Sequence, residues 1–240
     1  MEVENYLLEN KNLKIIQRKD MFNFSLDTVM VTHFAFISKK VKTIIDFGTN
    51  NAAIPLILST LTDKKIVGIE IQKEAYDLAM KNISLNNLAE QVQIIHDDIN
   101  NFCLNYQDKV GLIICNPPFF KVQEDSNVND NEFLKIARHE ININLEQIMQ
   151  NASFILENKG RLALIHRPDR LIEIIELMKK YHIEPKRLRL IYPKINSEAN
   201  MVLVEGMFHG KSGLKIEKPL IAHNNDGTYS DEVKKMFLGD

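Results

Sequence analysis

The residues best suited to chemistry in this chain stand where apolar runs end. The stretch "LIICNPPFFK", residues 112–121, begins as an apolar run fit for a buried strand and then breaks on Asn116, Pro117, Pro118 and two phenylalanines. Neither proline can donate to a sheet ladder, and the first pushes Asn116 into an extended conformation, so a strand must end there. What remains at its tip is an amide and two aromatic rings. Other apolar runs end on acids: Asp46 in "DFGTNNA", Glu70 in "GIEIQKEA", and Asp97 and Asp98 in "HDDI". Carboxylates at successive tips suit a ligand rich in hydroxyl and amine donors rather than a bare polyphosphate. A nicotinamide enzyme would also place an acid after its second strand, but it carries a full glycine fingerprint in the first turn, which this chain lacks. Cys103 and Cys115 have no metal-ligand spacing and read as small buried hydrophobes, so neither a thiol nucleophile nor a metal site is expected.

Such tips do chemistry together only if parallel strands bring them to one edge. Short apolar runs at 43–47, 65–71, 92–98 and 110–116 alternate with segments of helical periodicity. "LEQIMQNASFILENKG" reads as a helix capped by Gly160. A strand at 161–166, a helix opening on Pro168 and two strands in "KRLRLIYP" and "NMVLVEGMF" complete the series. This alternation predicts an α/β, Rossmann-like fold: a seven-stranded, mostly parallel sheet with helices on both faces, binding its ligand at the carboxyl ends near the point where strand order reverses. The sheet domain spans 41–210; residues 1–40 form an N-terminal segment, and 211–240 read as a polar tail with "HNNDG" as a turn.

At 240 residues, 45% hydrophobic and 26% charged, the chain suits one large core or a core with an appended subdomain, and excludes disorder. The start, "MEVENYLLEN", is acidic and polar, and no window reaches the apolar length of a membrane span, so a cytoplasmic protein is expected. A net charge of -2 carries no global nucleic-acid signature. Locally, residues 159–194 hold ten Lys or Arg against four Asp or Glu. Arg167, Arg170, Lys186, Arg187, Arg189 and Lys194 are therefore candidates for a phosphate backbone, although a solvated face of a helix and strand has the same composition.

Taken together, "DFGTNNA", "GIEIQKEA", "HDDI" and "NPPF" resemble the class I S-adenosylmethionine-dependent methyltransferases, and "NPPF" resembles the branch that methylates amino nitrogens of planar substrates. With "FSLDTVMVTHFA", "IARHE", "HRPDRL" and "YPKINSEAN", nearly the whole chain resembles the bacterial tRNA adenine methyltransferases that modify the adenosine just 3′ of the anticodon in a valine tRNA. The resemblance implies S-adenosylmethionine as cofactor, with Glu70 and the adjoining Ile71 at its ribose and Asp97 and Asp98 at its adenine. It puts Asp46, Gly48, Thr49 and Asn51 against the methionine part, with Asp27 and Thr28 closing the site from the N-terminal segment. Asn116, also in contact with the cofactor, and Pro117 would accept the two N–H bonds of the target amine, the Pro117–Pro118 pair holding both acceptors still, and Phe119 would stack on the base.

Lys121, Arg138 and His139 join the basic candidates as substrate contacts, around the polar segment 121–133. The chain departs from the family pattern where Asn50 and Ala52 replace glycines of the first turn. Asn tolerates a left-handed backbone best among non-glycine residues, whereas Ala adds a methyl near the ligand. Enzymes with similar motifs also methylate guanine in ribosomal RNA, adenine in DNA or a glutamine side chain, and a non-catalytic RNA-binding descendant is a further alternative. Protein-glutamine and DNA enzymes of this type usually carry an extra domain for which there is no room here.

Overall fold

The computed structural model describes residues 2–8, 12–21, 24–119 and 144–238. A hairpin of β1 (Glu2–Leu8) and β2 (Leu13–Arg18) leads into α1 (Leu26–Phe34), β3 (Thr43–Phe47), α2 (Ala53–Leu61), β4 (Lys65–Glu70) and α3 (Lys73–Leu85). Then follow β5 (Val92–His96), α4 (Ile99–Asn105), β6 (Val110–Cys115), α5 (Leu145–Ile155), β7 (Leu156–His166), α6 (Leu171–Lys180), β8 (Ile183–Tyr192) and β9 (Met201–Phe208). Two short strands, β10 (Lys215–Ile216) and β11 (Leu220–Ile221), and α7 (Asp231–Leu238) close the chain.

The seven strands expected from the alternation pair in the order β8-β9-β7-β6-β3-β4-β5. All run parallel except β9, which is antiparallel to both β7 and β8. Every residue of β6 is buried, as is nearly all of β3, which is why these strands read as unbroken apolar runs rather than as alternations. One core lies under α1, α2, α3 and α7, the other under α4, α5 and α6. Strand order reverses between β3 and β6, which are registered with Phe47 opposite Cys115. The turn after β3 and the asparagine after β6 therefore emerge side by side at the carboxyl edge.

Two expectations need correction, and one attachment was not expected. The helix expected to reach Gly160 stops at Ile155, and Leu156–Gly160 belong to β7. Lys159 takes a positive φ of 68°, and the pairing with β6 shifts register there, so "ENKG" forms a bulge rather than a helix cap. Gly160 is required by crowding, since a Cβ would lie 2.9 Å from the Val110 carbonyl oxygen. Next, residues from Gly210 onward are not left outside the fold. β10 and β11 pair parallel with β8 and widen the sheet to nine strands, while α7 buries Val233 and packs on α1. Few residues there are buried, among them Leu220, Ala222 and Val233, too sparsely spaced to show a period in the sequence.

Lastly, the N-terminal hairpin is fastened to α3 by side chains rather than by a strand ladder. Asn82 Oδ1 accepts from Ile16 N at 2.6 Å and Asn82 Nδ2 donates to Ile16 O at 3.0 Å, while Asn86 bonds both backbone groups of Lys14. The two asparagines stand one helical turn apart on α3, so their amides imitate a neighbouring strand for alternate residues of β2.

Candidate active site

The turn after β3 is pinned from β4, because the N–H groups of Gly48 and Thr49 both donate to Ile69 O, at 3.1 and 2.9 Å. Gly48, Asn50 and Ala52 have φ of 73°, 49° and 65°, so three alternate residues share the left-handed region. Asn50 and Ala52 thus hold the backbone a glycine would hold. The Ala52 methyl is fully buried and belongs to the apolar core beneath α2. The cost is roughly 1–2 kcal/mol for an alanine in this conformation. Gly68, opposite Asp46 on β4, makes room for this turn: a Cβ there would stand 2.7 Å from Thr49 Oγ1.

Polar groups without partners collect at this turn. Asp46 is fully buried, and among the described residues neither of its carboxylate oxygens, nor Thr49 Oγ1, nor Asn51 Nδ2 has a hydrogen-bond partner. Each such group costs about 1–3 kcal/mol unless a ligand or water satisfies it. Burial pushes the Asp46 carboxyl up to about 7; the Thr49 hydroxyl nearby opposes the shift without reaching hydrogen-bond geometry, and the Glu70 charge adds to it. Carboxylate, hydroxyl and amide side by side fit an amino-acid group, the acid for its ammonium and the two donors for its carboxylate.

Glu70 closes the other side of the turn. Its Oε2 accepts from Asn50 N at 2.7 Å and its Oε1 from Gln72 N at 2.9 Å. Burial raises its pKa, and these backbone donors oppose the rise. Asn82, which holds the hairpin, also donates to Asn51 O at 2.9 Å, so the hairpin, α3 and the turn meet at one buried amide. Asp98 caps α4, its Oδ1 accepting from Asn100 N at 2.6 Å. Asp97 accepts from the Asn101 amide with both oxygens, at 2.8 and 3.0 Å. Ile71 is exposed beside them, and its carbonyl bonds the His96 ring at 2.9 Å. Asp27 lies in the first turn of α1, where burial raises its pKa and the Ser25 hydroxyl, donating to it, opposes the rise.

At the neighbouring tip, the Asn116 side-chain amide donates to Thr28 Oγ1 at 3.1 Å. Pro117 is buried, Pro118 exposed and Phe119 half-buried. The Phe119 ring meets His166 edge-on, with centroids 5.4 Å apart and planes at 74°. His166, at the end of β7, is buried, and its Nδ1 accepts from Arg167 N at 2.8 Å. Burial, aided by the Arg170 charge, lowers its pKa. Sequence reasoning missed His166, Asn82 and Gly68. A histidine ending a strand next to the "NPPF" strand was the one available signal. Lys121, Arg138 and His139 lie outside the described residues.

The basic candidates separate into two groups. Arg187 donates to Glu217 at 2.8 Å and to Phe34 O at 2.8 Å, lies over the Phe34 ring and pairs with the fully buried Glu205, which Arg161 also bonds. Arg189 holds both oxygens of Glu232, and Arg170 both oxygens of Glu173. All three of these arginines, 170, 187 and 189, are thus paired with acids in the structure. Three of the partners, Glu205, Glu217 and Glu232, come from outside the window in which the charges were counted. Arg167 is more than half exposed and only loosely paired, 3.7 Å from Asp169. Lys194 is exposed and follows β8 at the same edge, whereas half-buried Lys186, donating to Lys211 O, stands near the opposite end of β8. Cys103 and Cys115 are buried, with Cys103 pushed up to about 12 and Cys115 higher still, so neither supplies a thiolate. No cluster of three metal-ligating side chains occurs among the described residues.

An open, mostly parallel α/β sheet with an acid-lined turn at its switch point and Asn-Pro-Pro-Phe beside it has the architecture of a class I methyltransferase. Residues 25–181 match the family model described as methyltransferase small domain, and the chain belongs to that family. A protein of Flavobacterium johnsoniae named tRNA1(Val) (adenine(37)-N6)-methyltransferase is 25% identical over 236 residues, 97% of this chain and 99% of its own. A protein of the same name from Porphyromonas gingivalis is 29% identical, over 80% of this chain and 76% of its own. Among solved structures, one described as a predicted O-methyltransferase from Agrobacterium tumefaciens superposes with a TM-score of 0.70 at 19% identity, covering 89% of this chain and 96% of that one. The METTL16 methyltransferase domain superposes with a TM-score of 0.63 at 15% identity, covering 85% of this chain and 91% of that one. These two likenesses concern the fold.

Proposed function

We propose that this protein methylates the exocyclic amino group of the adenosine at position 37, just 3′ of the anticodon, in a valine tRNA, using S-adenosylmethionine. The observation that carries this reading is the meeting, at the switch point between β3 and β6, of the acid-lined turn 46–52 with Asn116–Phe119. It is supported by relatives of that name whose similarity extends over nearly the whole chain.

When bound, the cofactor supplies an electrophilic methyl carried on a sulfonium. Asp46 would face its ammonium, Thr49 and Asn51 would donate to its carboxylate, Glu70 would accept from the ribose hydroxyls beside Ile71, and Asp98 would accept from the adenine amine. The target amine is a poor nucleophile because its lone pair is delocalised into the ring. Asn116 Oδ1 and the Pro117 carbonyl accept its two N–H bonds, favour a pyramidal nitrogen and face the positive charge that develops there. Phe119 stacks on the base, supported by His166. Arg167 and Lys194 meet phosphates, and the reaction takes place in the cytoplasm. No helix among the described residues is long and apolar enough to cross a membrane. Mass mapping of nucleosides in total tRNA with and without the protein tests this reading. The valine tRNA is expected to lose N6-methyladenosine when the protein is absent; unchanged tRNA with loss of a methyl from ribosomal RNA or protein would overturn it.

The site also makes the cofactor affinity depend on pH. The ligand-free Asp46 pKa of about 7 falls when a cation binds beside it, so binding requires the ionised carboxylate. Affinity should therefore weaken about tenfold as pH drops from 8 to 6, with proton release on binding near pH 7. The sign for stability is opposite: a raised acid pKa favours the ligand-free fold at low pH and loses that contribution as pH rises towards 7. Calorimetry in buffers of different ionisation enthalpy measures the released proton, and Asp46→Asn should abolish both the release and the slope. Glu70→Ala should weaken cofactor binding by roughly 1.5–3 kcal/mol, the range for hydrogen bonds to a charged group. Glu70→Gln, which keeps one acceptor for Asn50 N, should fall between; equal affinity in all three proteins would remove Glu70 from the site.

A further inference from the structure

We infer that Thr28 is the positioning residue of the methyl-transfer step, acting through Asn116, an inference that rests on the function proposed above. The Asn116 amide can take either of two orientations about its last torsion, and only the one presenting Oδ1 can accept from a target amine. In the structure Nδ2 donates to Thr28 Oγ1 at 3.1 Å. That bond holds the amide in the productive orientation. Turned over, the amide would set its NH2 group against the two N–H bonds it must accept, opposing donor to donor.

Thr28 is well placed to hold this bond still. It lies in the first turn of α1, where its own N–H donates to Ser25 O at 3.1 Å and its carbonyl accepts from the Thr32 hydroxyl at 2.7 Å. The residue is 7% exposed, and Val29, Met30 and Val31 beside it are buried in the core. α1 packs against β6 and β7, so the helix carrying the hydroxyl lies against the strand that leads into the amide. The sequence resemblance put Thr28 against the cofactor, whereas the geometry directs it to the amide on which the substrate depends. Thr28 thereby makes the N-terminal segment, outside the alternating sheet, a part of the catalytic arrangement. Asn116 is held from two sides, by Pro117 along the chain and by Thr28 through space.

The test is a double-mutant cycle with Thr28→Val, Asn116→Ala and their combination, with Thr28→Ser as the conservative rescue and Thr28→Ala in case the valine variant does not fold. Thr28→Val is expected to slow single-turnover transfer to tRNA about tenfold, the scale of one hydrogen bond. Cofactor affinity should stay unchanged, Thr28→Ser should restore the rate, and Thr28→Val should cost nothing further in the Asn116→Ala background. A readout without substrate or cofactor is the Asn116 side-chain amide signal in a two-dimensional 15N–1H spectrum, assigned by its loss in Asn116→Ala. It should move in Thr28→Val and return in Thr28→Ser. The inference is overturned if Thr28→Val slows Asn116→Ala as much as it slows wild type. It is equally overturned if the variant weakens cofactor binding with an unchanged saturated rate, or leaves the amide signal in place. A wild-type protein that transfers no methyl while its amide signal responds as expected would instead contradict the proposed function, and with it the catalytic meaning of the contact.

Discussion

Asn116→Ala is expected to lower single-turnover methyl transfer by at least about a hundredfold, the scale for removing one preorganised dipole aimed at developing charge. Fold and cofactor affinity should persist. Asn116 stands after the last residue of β6, and among the described residues its side chain makes one hydrogen bond, to Thr28. The variant therefore removes an acceptor from the substrate without leaving a buried charge or a large cavity. Asn116→Asp makes a useful companion, because it keeps an acceptor but loses the NH2 group that Thr28 holds, and should lie between the two. Quenched-flow measurement at saturating cofactor separates this effect from any loss of binding. A variant as fast as wild type would show that the amine is not held by this amide.

Arg187→Glu is expected to destabilise the protein by at least roughly 3 kcal/mol, because it removes one partner of a buried ion pair and sets a second acid against the first. Glu205 is fully buried on β9, and its remaining bonds come from Arg161 and from Phe36 N at 2.8 Å. Arg187 additionally fastens the end of α1 through Phe34 O and the C-terminal segment through Glu217. Its loss should loosen three parts of the fold at once. Urea denaturation gives the size of the effect, and Arg187→Met, which keeps the length without the charge, should cost less than the reversal. If Arg187→Glu instead folded as stably as wild type and only lost tRNA affinity in a salt-dependent way, Arg187 would be a phosphate contact after all.

These two residues mark what could and could not be read in advance. The placement of Asn116 was legible because it is written locally: an apolar run, an amide, two prolines and a ring are adjacent in the chain, and the alternation of strands puts that tip at the carboxyl edge of the sheet. The placement of Asp46, Glu70 and Asp98 at strand ends was legible for the same reason. The ion pairs of Arg187 were not legible because charge counted along a segment ignores partners far away in sequence, and Glu205 and Glu217 come from a strand and a connection that only the fold brings close. Ala52 was ambiguous for a related reason, since its left-handed backbone could be anticipated but the direction of its methyl could not. The polar C-terminal stretch concealed an edge of the sheet because so few of its residues are buried. Asn82 was invisible as a hub, being one of three asparagines at and just past the end of a helix, its role set by what the hairpin and the turn present to it.

The most direct test of the account is methyl transfer by the purified protein from labelled S-adenosylmethionine to an unmodified valine tRNA transcript, followed by nuclease mapping of the product. One methyl per tRNA is predicted, on N6 of the adenosine at position 37, the position in the names of its relatives, with no transfer when that adenosine is replaced by guanosine. Binding of both cofactor and tRNA without transfer, or a methyl placed on any other nucleotide, would contradict it.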